Sequence, residues 1–102
     1  MSGIAELEPW LQPWARWLIA HWPYGQLTST YRSRREQAQL YADYLRGESR
    51  YPAAPPGRSY HEFRRAFDYE APPQILRALG EVWEWAGGRW GGRFRDPIHF
   101  EA

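Results

Sequence analysis

His61, Asp68 and His99 are the residues of this 102-residue chain whose types could do chemistry together. Two imidazoles and one carboxylate can ligate a zinc ion and leave one position open for water, as catalytic rather than structural zinc does. The chain has no cysteine, which excludes thiolate metal sites, disulfides and thiol nucleophiles. His61 and Asp68 stand seven positions apart, an odd separation that would point them to opposite faces of one continuous strand. A loop or bulge must therefore lie between them if both hold one ion. From these two alone, a buried histidine and a turn aspartate is the simpler reading. His61-Glu62 is followed by Arg65 where a zincin helix would need a second histidine. His21, at the end of the first predicted helix, is a third-ligand candidate whose simpler account is a helix-end or surface histidine.

The elements that must position these residues follow from periodicity. Residues 8–22 place Leu11, Trp14, Leu18 and Trp22 at helical spacing, with Trp10 and Trp17 widening the apolar side. This predicts a helix starting near Pro9, with Pro13 in its first turn. Gln26 to Arg32, β-branched and aromatic, reads as a strand. Ser33-x-x-Glu36 is a capping box opening a helix over about 34–46. Gln37, Leu40, Tyr41, Tyr44 and Leu45 form its inner face, and Gly47 its stop. Pro52, Pro55, Pro56 and Gly57 make 48–58 an irregular loop, with too little chain on either side for separate cores. Arg65 to Tyr69 alternates as a strand carrying Asp68. Pro72-Pro73 then opens a third helix with Ile75, Leu79, Val82, Trp83 and Ala86 as its stripe, ended by Gly87-Gly88. Arg89-Trp90 and Ile98-His99-Phe100 read as short strands joined by a turn through Gly91-Gly92. The expected architecture is α+β: a single domain over residues 1–102, with about three helices on a small antiparallel sheet. Trp83 and Trp90 could line a cleft, although aromatic stripes at this spacing are more often core.

Composition narrows the function further. Formal net charge is +1, and all 13 basic residues are Arg. Guanidinium groups favour bidentate recognition of carboxylate or phosphate, although genome composition alone gives the same bias. Acidic and basic residues are interspersed, so nucleic acid is not an expected partner. No stretch approaches the roughly 20 apolar residues that span a bilayer, so stable membrane insertion is not expected either. The start, with Glu6, Glu8, Pro9 and Pro13, has neither the basic beginning nor the apolar run of a signal peptide. The expectation is synthesis in a host cytoplasm without an export signal, and a monomer.

Three blocks in order carry a family resemblance. Ser59-x-His61-x-x-Arg64-x-Ala66-x-Asp68 resembles the Ser-x-His-x-x-Gly-x-Ala-x-Asp signature of the zinc D-Ala-D-Ala carboxypeptidases, a VanY-like family that includes phage L-alanyl-D-glutamate endolysins. Thr30-Tyr31-Arg32-Ser33 with Gln37 resembles its upstream Gly-Tyr-Arg-Ser…Gln element. Trp90-Gly91-Gly92 followed by Asp96-x-x-His99-Phe100-Glu101 resembles its closing motif. The match runs from about residue 27 to the end and leaves the aromatic N-terminal helix outside. It implies one zinc per chain held by His61, Asp68 and His99, and Asp96 as general base. Glu101, on the same strand face as His99, is the rival base or a partner that orients a ligand. Arg32 is the candidate for stabilising an oxyanion or a substrate carboxylate, and Ser59 and Gln37 are candidates for hydrogen-bonding substrate. The implied activity is hydrolysis of a bond in the peptidoglycan stem peptide, by L-Ala–D-Glu endopeptidase or D-Ala–D-Ala carboxypeptidase action, in a phage-type endolysin acting on the wall after release. A non-catalytic wall- or protein-binding module is the alternative. Arg64 replaces the family glycine, so either no positive φ is needed there or Arg tolerates one at about 1 kcal/mol.

Overall fold

Alternation along two neighbouring strands separates the core of this protein from its site. In the computed structural model, which describes residues 3–102, the elements are α1 (Gln12–Ala20), β1 (Gln26–Ser29), α2 (Arg34–Leu45), β2 (Ala66–Glu70), α3 (Pro73–Trp85), β3 (Arg89–Trp90) and β4 (His99–Glu101). Short 3-10 turns lie at Ile4–Glu6, Tyr60–Phe63 and Gly91–Phe94. The strands form one antiparallel sheet in the order β1-β2-β4-β3. The expected α+β architecture of three helices on a small sheet is the one observed.

Between β2 and β4, Phe67 pairs with Phe100, Ala66 with Glu101 and Asp68 with His99. Phe67 and Phe100 stack at 5.4 Å, and Trp83 of α3 meets both rings edge-on. Leu11 just before α1, Ala15 and Leu18 of α1, and Leu76 and Leu79 of α3 complete this core. The period of two then sends Ala66, Asp68, His99 and Glu101 to the other face. Trp83 and Trp90 both belong to the core, their indole N–H groups donating to the carbonyls of Glu101 and Pro97.

Helix α1 starts at Gln12, later than the expected start near Pro9, and carries Pro13 in its first turn. Its buried stripe, Ala15 and Leu18, continues from Leu11 at the N-cap, while Trp10 and Trp14 are about half exposed. The phase follows the small Ala15, which permits a closer approach than a tryptophan would. In α2 the capping box forms as expected, but only Gln37 is buried; Tyr44 and Leu45 are exposed. That face meets the 48–58 loop, with Gln37 Nε2 donating to the Ala54 carbonyl at 2.8 Å.

Two further differences bear on the site. Pairing of β1 stops at Ser29 rather than Arg32, after a register shift beside Tyr69 and Asp68. β3 and β4 are linked not by a tight Gly-Gly turn but by the 3-10 turn and Arg95, which sits at φ 64°. This longer path is held by Asp96 N–H donating to the Gly91 carbonyl and His99 N–H to the Asp96 carbonyl. Only glycine fits at position 91, because a Cβ there would lie 2.2 Å from the Asp96 carbonyl oxygen. Among the described residues, no helix is long and apolar enough to cross a membrane.

Candidate metal centre

His61 leaves the strand problem behind by sitting on a separate element. It lies in the 3-10 turn Tyr60–Phe63, capped by Ser59, whose Oγ accepts from His61 N–H. The turn ends at Arg64 with φ 61°. The positive φ demanded of the family glycine is therefore present, and Arg takes it. Its guanidinium stacks over the Tyr31 ring at 4.1 Å and donates to the Glu6 carbonyl, contacts that offset the strain. The loop expected between His61 and Asp68 is this turn and its left-handed end.

The three ligand candidates meet. His61 Nε2 lies 3.2 Å from Asp68 Oδ1 and 3.2 Å from His99 Nδ1, and His99 Nδ1 lies 3.3 Å from Asp68 Oδ1. A tetrahedral ion with ligand bonds of about 2.0–2.1 Å requires ligand–ligand edges of about 3.3 Å. The triangle therefore fits such an ion without rearrangement. Among the described residues this is the cluster able to hold a metal, and all three members are buried.

The outer atoms fix the inner ones. His61 Nδ1 donates to the Thr30 carbonyl at 2.6 Å, which leaves Nε2 facing the centre. His99 Nε2 donates to Glu101 Oε1 at 2.6 Å, turning Nδ1 inward. Arg32 Nη2 donates to Asp68 Oδ2 at 2.8 Å, while its Nη1 and Nε donate to Gln37 Oε1 and Ser29 Oγ. Burial would raise the Asp68 pKa, but its contacts with His61 and His99 hold it well below the usual carboxylate range. Burial lowers the His61 pKa, keeping that ring neutral. Burial opposes charge on His99 as well, yet its bonds to Asp68 and Glu101 raise its pKa to about 9.

Asp96 and Glu101 separate clearly. Glu101 is spent on His99 through Oε1 and faces Arg89 through Oε2 at 3.7 Å, so it orients a ligand. Asp96 Oδ2 stands 3.9 Å from His99 Nδ1, beside the triangle, and its carboxylate accepts no hydrogen bond from the described residues. Burial pushes its pKa up to about 6, with the charge of His99 working against the rise. A carboxylate next to the open side of the centre and titrating near neutrality suits a general base.

A cleft of about 380 Å³ opens over the centre, lined by Arg32, Ser59, His61, Asp96 and His99 among others. Ser59 and Gln37 both reach it, but their polar atoms serve the turn cap and the Arg32–Ala54 bridge. His21 is remote from the centre and bonds the Trp17 carbonyl. Sequence reasoning missed Thr30, which acts through a backbone carbonyl and so leaves no side-chain signal. It also missed Arg58, Arg89 and Phe94 of the cleft wall, none of which is a named motif residue.

No family model matches the chain, and no curated protein sequence does. Solved structures do match. A vancomycin-resistance D,D-pentapeptidase VanY from a VanB-type cassette, in complex with Zn(II), superposes with a TM-score of 0.68 at 18% identity, covering 93% of this chain and 71% of that one. VanYB in complex with D-alanine-D-alanine gives 0.69 at 19% identity, covering 93% and 70%. The fold is that of VanY. At this identity the VanY likeness speaks for architecture, and the chemistry rests on the residues described above.

Proposed function

We propose that this protein is a zinc metallopeptidase that hydrolyses a bond of the bacterial peptidoglycan stem peptide, acting as a phage-type endolysin. The observation that carries the reading is the donor triangle of His61, Asp68 and His99, with the free carboxylate of Asp96 beside it. The VanY neighbours bound to Zn(II) and to D-Ala-D-Ala support the choice of metal and substrate class. His61, His99 and Asp68 would hold a zinc ion, which would supply Lewis acidity toward a water and a carbonyl oxygen. Asp96 takes the proton of the attacking water on a carboxylate oxygen and returns it to the leaving nitrogen as the C–N bond breaks. Arg32 holds Asp68 in place and keeps N–H groups free toward the cleft for the developing oxyanion.

The test is metal analysis together with mass spectrometry of muropeptides after digestion, which identifies the scissile bond as L-Ala–D-Glu or D-Ala–D-Ala. Purified protein is expected to hold one zinc and to release defined muropeptides. Asp96→Ala should keep the zinc and lose about 10²–10⁴-fold in turnover, whereas His61→Ala should lose both. Turnover unchanged in Asp96→Ala would remove Asp96 as the base, and zinc binding without turnover in the wild type would leave a binding module instead.

A further inference from the structure

The cleft wall carries one cationic group with nothing to do inside the protein. Three arginines line the cleft. Arg32 is engaged by Asp68, Gln37 and Ser29, and Arg89 faces Glu101 and lies over the Phe94 ring at 5.0 Å. The Arg58 guanidinium makes no hydrogen bond, ion pair or ring contact with the described residues. Its backbone, by contrast, is pinned on both sides. Glu62 accepts from Gly57 N–H at 2.8 and 3.0 Å and from Ser59 N–H at 3.2 Å, and Arg58 N–H donates to the Pro55 carbonyl. Those bonds, and Arg34 at 3.6 Å, also occupy the Glu62 carboxylate, so it does not neutralise Arg58. The backbone next to the Ser59 cap is thus fixed, and the exposed Arg58 lines the cleft with its guanidinium unengaged. The charge of the site points the same way. With a divalent ion in place, the metal and three guanidiniums outweigh Asp68, Asp96 and Glu101, so the loaded cleft favours an anionic substrate.

We propose that Arg58 is a specificity-determining residue that recognises a free carboxylate of the stem peptide close to the scissile bond. The proposal rests on the peptidase reading and names the substrate feature that the site selects. A guanidinium matches a carboxylate bidentately, whereas a carboxamide offers one acceptor oxygen and no charge. Arg58 therefore distinguishes acid from amide forms of the same peptide.

The experiment uses a stem pentapeptide containing both the L-Ala–D-Glu and the D-Ala–D-Ala bond, once with free carboxylates and once with them converted to carboxamides. Zinc-loaded wild type is expected to prefer the acid form by about ten- to a hundredfold in kcat/KM, the range of a hydrogen bond to a charged group. Arg58→Gln should lose that preference, chiefly through KM for the acid form, and leave the amide form unchanged. Arg58→Lys should retain part of it. Arg77→Gln, on the exposed face of α3 and paired with Glu81, should behave as wild type. Equal effects of Arg58→Gln on both forms, no effect on either, or no acid preference in wild type would overturn the proposal. If wild type cleaves neither form, the peptidase reading fails separately. Calorimetric binding of the two peptides to zinc-loaded wild type and Arg58→Gln then decides the role of Arg58 by the same acid-to-amide ratio.

Discussion

Three electron-pair donors aimed at one point repel one another unless a cation lies among them. In the metal-free chain a proton on His99 fills that role, because Asp68 and Glu101 hold its pKa near 9 against the penalty of burial. The unfolded imidazole titrates at about 6.5. A pKa raised on folding contributes stability that is complete below pH 6.5 and is lost as pH rises through about 9. Chelator-treated protein is therefore expected to lose stability, on the order of 3 kcal/mol, between those limits in urea unfolding. Zinc removes the dependence, because the metal replaces the proton and binds more tightly as its competitor leaves. A flat profile for the chelated protein would mean that His99 is neutral there. The same reasoning explains the burial of Asp68: its two oxygens are divided between the centre and Arg32, so neither is left unpaired.

At the scale of elements, short contacts between backbones and rings place these side chains. Gly80 sits in the middle of α3, where alanine would ordinarily favour the helix by about 1 kcal/mol. A Cβ there would lie 2.1 Å from the Trp90 ring, on the strand that leads into the Asp96 loop. Gly80→Ala is thus expected to destabilise by about 1–3 kcal/mol, the opposite sign to propensity, as read by thermal or urea unfolding. A stabilised variant would show that α3 and β3 have room to separate. The 3-10 turn bearing His61 works similarly: its left-handed end at Arg64 lets the chain reverse into β2, so that His61 and Asp68 converge from different elements.

Across the whole molecule, α1 joins the site to the core although it lies outside the three motif blocks. Leu11, Ala15 and Leu18 are fully buried beneath the sheet face opposite the ligands. The segment before α1 reaches the metal side, with Gly3 N–H donating to Thr30 Oγ1 and Glu8 N–H to the Arg64 carbonyl. Leu18→Ala removes a side chain from a closed core and should cost about 2–5 kcal/mol in urea unfolding. A loss near zero would mark α1 as an appendage rather than a layer of the fold.

Residue types singled out His61, Asp68 and His99 as candidates, the family resemblance made them a ligand set and added Asp96, and local periods drew three helices around a small sheet and placed the capping box at Ser33. Those features depend on neighbours a few positions away, which a single sequence displays. What the tertiary structure decided were pairings between distant segments: Arg32 with Asp68, His61 with the Thr30 carbonyl, Glu101 rather than Asp96 on His99, and the outward turn of Trp14 and Tyr44. A donor carries no mark in the sequence of the acceptor that will satisfy it. That choice is made when packing brings two surfaces together and leaves each buried polar atom only the partners within its reach.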